Sequence, residues 1–400
     1  MKGFNPKEFV NKQVEKIKKT VGSERALIAV SGGVDSTTCA VLTHRAMGEK
    51  LLCVMLDDAF MREGEPERVA QVLSRSPLNL PVRIVNVQER FLGELRGLRD
   101  AEEKRKAFQE AFYKTLSEVA EKESCRFLVQ GTIYADVVET TGGIKTQHNV
   151  LSQVGINPIE RYGFQVIEPL ATLYKGQVRE LARYLGISSE ISERQPFPGP
   201  GLSVRVVGEI KTDKLEALKK ATTITEETVA EHRPDQYFAA ILDNIDKRQH
   251  PRCKPIQETV ARLLNVPSKH VFVRVFQDRT TGIKGGERCY GEVAAVKAQD
   301  ANGSVLQPPV KSLVELQSKI VMENPSITRV LYAIHEAVQK QPYVVAVRAV
   351  QTQDFLTARV AELPWATLTE TAQKILTACP NVSIVYYDVT PKPPATIEME

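Results

Sequence analysis

The chain has 400 residues, of which 42% are hydrophobic and 26% charged, a composition that fits two or three globular domains with a sizeable core. Lys plus Arg is 53 against 49 Asp plus Glu, a formal charge of +4, too mild over this length to indicate nucleic acid. No uninterrupted apolar stretch is long enough to span a bilayer, and the polar run Met1 to Glu8 lacks the apolar centre of a signal peptide. Six cysteines, Cys39, Cys53, Cys125, Cys253, Cys289 and Cys379, form no C-x-x-C pair and no zinc spacing with His. They read as reduced thiols of a cytoplasmic protein.

In chain order, the Lys-rich run Lys12 to Lys19 reads as the solvated face of a helix whose other face carries Val10, Val14, Ile17 and Val21. Ala26 to Val30 is a short apolar run ending at a Gly turn, which predicts a buried parallel strand. A helix over Thr37 to Met47 follows, then strands at Leu51 to Leu56 and Val82 to Val87, a charged helix at about Ala101 to Glu121, strands at Phe127 to Gln130 and Val166 to Glu168, and a helix at Gly176 to Leu185. This alternation predicts an α/β doubly wound parallel sheet with its ligand beyond the carboxyl ends of the strands. Gln195-Pro-Phe-Pro-Gly-Pro-Gly201 cannot be helix interior or central strand. It sets a boundary between a domain at 1–195 and one at 196–400. The second domain reads as α+β with an internal repeat. Ala295-Val-Lys-Ala298 resembles Ala346-Val-Arg-Ala349, and Pro325 to Ile334 resembles Pro380 to Val389, so strand–helix–strand copies fall at about 270–336 and 342–400.

The sharpest motif is Ser31-Gly32-Gly33-Val34-Asp35-Ser36, followed by Thr37, between a predicted strand and a predicted helix. Gly32 and Gly33 let the backbone turn tightly against an anion. Exposed N–H groups and the helix amino terminus supply donors and a positive dipole end. Ser31, Ser36 and Thr37 add hydroxyls. Asp35 beside phosphates would repel them unless a cation intervenes, which suggests Mg²⁺. The loop lacks the Gly-Lys-Ser/Thr of GTPases and motor ATPases. This hexapeptide resembles the signature of the PP-loop ATP-pyrophosphatases, a family that includes GMP, NAD, asparagine and argininosuccinate synthetases and tRNA thiolases. The resemblance implies that ATP is cleaved to pyrophosphate while its α-phosphorus adenylylates a substrate.

Within that family, Phe60-Met-Arg62, Glu102-Glu-Lys-Arg-Lys106, Gln130-Gly-Thr-Ile-Tyr134 with Asp136 and Glu139, Ile144-Lys-Thr-Gln-His-Asn149, Ile167-Glu-Pro-Leu170, Pro196 to Leu202 and Lys392-Pro-Pro-Ala-Thr-Ile-Glu398 resemble the GMP synthetases in order and spacing. The resemblance implies an enzyme, a ligase that aminates xanthosine monophosphate (XMP) to GMP through an adenylyl intermediate, with ATP and Mg²⁺ as cofactors. It implies that Ser31 to Thr37 and Lys175 bind ATP, that Asp35 and Lys175 are catalytic, and that Asp35 holds the metal. By the same resemblance Arg105, Arg288, Lys392, Thr396 and Glu398 contact XMP, and Gly131, Thr132, Asp136, Lys145 and His148 belong to a lid that closes over the adenylate.

GMP synthetases need ammonia, and many carry a glutaminase domain ahead of the loop with a Cys in a Gly-x-Cys-x-Gly elbow. Such a domain needs on the order of 150 to 200 residues. Here 30 residues precede Ser31 and the elbow is absent from the sequence, so ammonia is expected either free or from a separate glutaminase subunit. Six positions depart from the family pattern: Gln195 for His, Met399 for Trp, Ile384 for Arg (which the first copy retains as Arg329), Gly286 for Asp, and the last two of Lys175-Gly-Gln for Lys-Asp-Glu. An extra stretch spans Ile245 to His270. Two other readings stay open, a PP-loop enzyme with another acceptor and a catalytically silent nucleotide-binding regulator of a glutaminase. The repeat allows either a homodimer or a monomeric pseudo-dimer.

Overall fold

The structure is a computed structural model that describes residues 3–134, 136–137, 157–247, 250–352 and 356–400. The chain divides into two compact units, Met1–Glu94 with Lys106–Pro200, and Leu95–Arg105 with Gly201–Glu400. The division falls five residues after Gln195, and the short stretch Leu95–Arg105 is assigned to the second unit.

The first unit opens with α1 (Pro6–Val21), where Asn5 caps the amino terminus by accepting from Glu8 N–H at 3.2 Å and Gly22 ends the helix at φ 59°. Val10, Ile17 and Val21 are buried and the lysines are exposed. There follow β1 (Arg25–Ala29), α2 (Val34–Met47), β2 (Leu51–Asp57), α3 (Glu65–Ser74), β3 (Val82–Asn86), α4 (Gln88–Glu94), α5 (Ala101–Lys122), β4 (Cys125–Val129), β5 (Gln165–Ile167) and α6 (Lys175–Tyr184). Among the described residues five strands pair in the order β3-β2-β1-β4-β5, every pair parallel. Alternate residues of β1 point to opposite faces. Ala26 and Ile28 join a core with α1, α2 and α6, and Leu27 joins a second core with Tyr113 and Leu116 of α5. Both faces are covered, so the strands read as unbroken apolar runs. Each fully buried Leu or Ile contributes about 1.5–3 kcal/mol. The strand order reverses between β1 and β4, which puts the crevice of this sheet at the carboxyl ends of those two strands.

The second unit contains α7 (Thr212–Val229), β6 (Gln236–Asp243), α8 (Cys253–Leu264), β7 (Val271–Lys284), β8 (Glu287–Ala298), α9 (Val310–Glu323), β9 (Ile327–Glu336), β10 (Tyr343–Gln351), β11 (Arg359–Val360), α10 (Trp365–Ala378) and β12 (Val382–Asp388). Among the described residues seven strands form one mixed sheet, ordered β10-β12-β9-β8-β7, with β6 and the short β11 also on β10. The sheet is two-fold repeated. β8–α9–β9 and β10–α10–β12 are each a parallel strand pair joined by a 14-residue helix. The helices begin at Val310 and Trp365, a shift of 55 positions (365 − 310), each after a proline, Pro309 and Pro364. Both parallel pairs slip register at the same step, between Glu292 and Val293 and between Tyr343 and Val344. The two halves meet where β9 and β12 run antiparallel and Tyr332 faces Tyr387. The buried hydroxyls of these tyrosines donate to the carbonyls of Leu306 and Ala361, again 55 apart (361 − 306). The repeat is larger than strand–helix–strand, because α7 and β6 flank β10 as α8 and β7 flank β8.

Two features singled out in the sequence acquire physical reasons. Gly285 and Gly286 form a two-residue hairpin between β7 and β8 with φ of 58° and 84°, so glycine at 286 suits a turn that requires positive φ. The stretch from Ile245 to His270 carries α8 and is tied to β8 through Glu292. That carboxylate accepts from Lys247 Nζ at 2.5 Å and Arg252 Nη1 at 2.9 Å, with His250 Nε2 at 3.3 Å and Ser326 Oγ at 2.5 Å. Burial alone would raise the carboxyl, but Lys247, Ser326 and His250 bring it down to about 2 from the ordinary 4.5.

The folded value lies below the unfolded one, so this stabilisation is present above pH 4.5 and fades as the pH falls toward 2. Glu292→Gln is expected to cost about 1–3 kcal/mol at neutral pH. It should also flatten the loss of stability between those pH values. Urea melts of both proteins across the acid range test this, and parallel pH profiles would contradict it.

Candidate active site

The Ser31–Thr37 loop leaves β1 and enters α2 at the crevice of the first unit's sheet. The helix begins at Val34, a turn earlier than the apolar pattern indicates, so Asp35 and Ser36 lie in its first turn. Its N-cap is Gly33, extended at φ −78°, with no side chain to occupy the free N–H groups. Gly32 sits at φ +74°, and a Cβ there would lie 2.6 Å from Val69 Cγ2. The hydroxyls close on the loop itself. Ser36 Oγ accepts from Ser31 N–H at 3.2 Å, donates to Gly33 O at 3.3 Å and lies 3.0 Å from Ser31 Oγ. Thr37 is fully buried, and its Oγ1 has no hydrogen-bond partner.

Lys175, the first residue of α6, reaches Asp35 with Nζ–Oδ2 at 2.6 Å. This joins the two sequence-selected residues across 140 positions. Asp35 Oδ1 is buried without a partner. Among the described residues no three His, Cys, Asp or Glu side chains gather as metal ligands. A cation at Asp35 would therefore take most of its oxygens from phosphate and water, as Mg²⁺ does.

Two nearby groups escaped the sequence reading. Arg194 pairs with Glu65 at 2.5 Å, and its Nη1 lies 3.5 Å from the position a Gly32 Cβ would take, so a guanidinium flanks the loop. Glu65 is 1% exposed and also accepts from Arg62 N–H at 3.0 Å, which fixes that carboxylate. Asp58, at the carboxyl end of β2, is pushed up to about 7 by burial, partly offset by the N–H of Phe60. The acidic pair Asp57-Asp58 after an apolar run was its signal. Nothing in the local sequence marks Arg194.

Of the lid residues, Gly131 follows β4, and a Cβ on it would stand 3.0 Å from both Asp35 C and Ser36 N. Thr132 Oγ1 donates to Glu168 at 2.6 Å, and Asp136 accepts from Ile133 N–H at 2.9 Å. Tyr134 packs on Tyr174, next to Lys175, with ring centroids 4.7 Å apart. Glu139, Lys145, His148 and Asn149 lie outside the described residues.

The remaining sequence-selected residues all belong to the second unit. Arg105 is largely buried and donates to the main-chain oxygen of Glu400. Burial, and then the charge of Arg288, lower it to about 10. Two guanidiniums close enough for one to depress the other, with Arg105 Nε unpartnered, form an environment that favours an anion. Arg288 is exposed on β8. The tail is ordered. Lys392 pairs its backbone with Ala358, Thr396 Oγ1 bonds Thr281 and Glu398 O, and Glu398 is held bidentately by Arg205 at 2.9 Å on both oxygens. Met399, at the departure from Trp, is fully buried in the core below. Sequence reasoning missed Arg205, whose guanidinium also stacks on Phe238 at 4.0 Å, and Lys104, fully buried against the Glu400 carboxylate.

The open helix terminus, the Lys175–Asp35 pair and the parallel sheet define a PP-loop ATP-pyrophosphatase. A family model described as "NAD synthase" matches residues 6–255, and one described as "GMP synthase C terminal domain" matches 334–399. One of the subunits of a glutamine-hydrolyzing GMP synthase from Saccharolobus solfataricus is 44% identical over 397 residues, covering 99% of this chain and 100% of that protein. Its namesake from Sulfurisphaera tokodaii is 43% identical with the same coverage. Among solved structures, an NMN synthetase from Francisella tularensis matches at 20% identity and a TM-score of 0.39, over 50% of this chain and 79% of that one. The chain belongs to the family of these GMP synthase subunits.

Gly131→Ala would press a methyl against the backbone of the loop, which has no flexible end to yield. The KM for ATP is expected to rise on the order of tenfold with small loss of stability. Gly176→Ala, with nothing within 4 Å of its Cβ, should instead stabilise α6 by about 0.5–1 kcal/mol. Initial rates and thermal melts of the two variants decide this; an unchanged KM in the first would refute the close-approach argument.

Proposed function

We propose that this chain catalyses the ATP-dependent amination of XMP to GMP, with ammonia either free or delivered by a separate glutaminase subunit. The observation that carries the reading is the phosphate loop at the crevice with Lys175 fixed on Asp35 at 2.6 Å, in a chain of this family. The C2 oxygen of XMP attacks the α-phosphorus of ATP and pyrophosphate leaves. Ammonia then adds at C2 and displaces AMP. The N–H groups of Val34 to Ser36 and the dipole of α2 receive the β- and γ-phosphates. Lys175 supplies positive charge to the leaving pyrophosphate, and Arg194 adds to it from beside Gly32. Asp35 keeps Lys175 oriented. Its unpartnered Oδ1 fits it to hold Mg²⁺, which when bound neutralises phosphate charge.

In the second unit, Arg105 and Arg288 suit the phosphate of XMP, and Lys392, Thr396 and Glu398 suit its ribose and base. Gly131, Thr132 and Asp136 suit a lid that keeps water from hydrolysing the adenylate. Among the described residues no helix is long and apolar enough to cross a membrane. The six free thiols support a reducing compartment, the cytoplasm. The repeat across Tyr332 and Tyr387 supports a monomer that carries its partner copy within one chain.

With ATP, Mg²⁺, XMP and ammonium the protein should release equal amounts of pyrophosphate and GMP, and Asp35→Ala should abolish both. ATP binding without pyrophosphate release would sink the catalytic reading in favour of a regulator. By sedimentation equilibrium at micromolar concentration the mass should be that of one chain; twice that mass would exclude the monomer.

A further inference from the structure

After β12 ends at Asp388 the chain runs to Glu400 without helix or strand, yet this segment carries Lys392, Thr396 and Glu398, three of the residues assigned above to XMP. A segment without a ladder must find donors for its buried carbonyls elsewhere. Two fully buried arginines provide them. Arg348 donates from Nε to Ile397 O at 2.7 Å, from Nη1 to Thr390 O at 2.9 Å and from Nη2 to Thr396 O at 2.9 Å. Arg329 donates from Nη2 to Thr396 O at 3.0 Å and to Glu398 O at 2.6 Å. Each also places Nη1 on Asp388 Oδ2, at 2.7 and 2.5 Å. All three side chains are 0% exposed, so none of them touches a ligand.

The repeat exposes how specific this arrangement is. Arg329 follows the register slip on β9, and the matching residue of β12 is Ile384. The counterpart of Arg348 is Lys297, which is drawn to Glu336 at 3.0 Å and lies over the Phe272 ring. The counterpart of Asp388 is Ala333. The two-fold-related position, built from Lys297, Ala333 and Ile384, carries no tail among the described residues. Its face is an open cleft of about 410 Å³ lined by Phe272, Lys297, Ile384 and others. In the other half the equivalent Phe238 lies beneath Ile397 and Met399.

We propose that Arg329, Arg348 and Asp388 are positioning residues that hold Thr390 to Glu398 in the shape that binds the acceptor nucleotide, and that the chain therefore carries one acceptor site despite its two-fold sheet. This rests on the functional reading above. Arg329 comes from the first repeat and acts on a tail that follows the second, so neither repeat builds the site alone.

The test uses the full chain with Arg329→Lys and Asp388→Asn, and the counterpart variants Lys297→Ala and Ile384→Ala. Lysine keeps the charge of Arg329 but cannot span Asp388 and two carbonyls. The KM for XMP should rise about tenfold or more in the first pair, with the KM for ATP within about twofold of wild type. The counterpart variants should leave both constants unchanged. Amide hydrogen exchange in 392–400 should quicken in Arg329→Lys and stay as in wild type in Lys297→Ala. Calorimetric titration with XMP should give one site per chain. A folded Arg329→Lys with unchanged tail exchange and unchanged KM for XMP would overturn the proposal, as would equal rises for XMP and ATP or two sites per chain. Should Asp388→Asn fail to fold, Arg329→Lys decides the matter. Should the wild type make no GMP, the functional reading falls, and tail exchange still decides whether the clamp exists.

Discussion

A guanidinium cannot be withdrawn from water without a counter-charge and a full set of acceptors. In the second unit two such groups meet one carboxylate, Asp388, at the end of β12. Apart from Arg329 Nε, which has no partner, the remaining donors turn to the carbonyls of Thr390, Thr396, Ile397 and Glu398. The charge balance of the core and the path of the tail are thus one problem with one solution. Removing the carboxylate would leave two buried cations facing each other, and removing the tail would leave their hydrogen bonds to its carbonyls unmade. Arg205 and Glu398 add a bidentate pair, and Ile397 and Met399 join the apolar core. Burial outweighs the pull of Asp388 and holds Arg329 down at about 10, so the site depends strongly on that single acid.

The phosphate loop solves the opposite problem. On the proposed reading its anion is a ligand, so its donors must be available before the anion arrives. Gly33 leaves the helix terminus uncapped, and the serine hydroxyls occupy one another through bonds of 3.0 to 3.4 Å. These are weak enough to exchange for phosphate oxygens. Lys175 and Arg194 are fixed by acids, Asp35 and Glu65, whose own positions come from α2 and α3. Rigid scaffolding surrounds an under-satisfied loop, the arrangement preorganised catalysis requires.

The legible part of this molecule was the part governed by local periodicity. Apolar runs such as Ala26 to Val30 and Leu51 to Leu56 stood out because both faces of the first sheet are covered, and the loop because glycine, hydroxyl and helix start coincide. The boundary of α2 was misplaced because Val34-Asp35-Ser36 carries no capping side chain and looks like loop. The repeat was visible in Ala295 to Ala298 and Ala346 to Ala349. Its outer members were not, since Val271-Phe-Val-Arg-Val-Phe276 and Tyr237-Phe-Ala-Ala-Ile-Leu242 share only an apolar character. Arg194, Arg205, Lys104, Arg348 and Asp388 could not be found from sequence because their partners are distant along the chain. Arg205 and Glu398 are 193 positions apart, and no local pattern records such a pairing.

The order in which the repeats are threaded has a consequence for how the chain acquires its shape. α7 and β6 belong with β10, but the whole of α8, β7, β8, α9 and β9 lies between them, so Asp243 waits for Tyr343. Emerging from a ribosome, the inner half can pair β7 with β8 and β8 with β9 within a short span and so close early. The outer half holds an apolar strand, Gln236–Asp243, whose hydrogen-bonding partner has not yet been made. During that interval β6 is an unpaired edge, and its Phe238-Ala-Ala-Ile-Leu242 run is open to stray association in the nascent state. Completing β10 seals that edge, and the tail with its arginine layer is the last part of the sheet to be laid down.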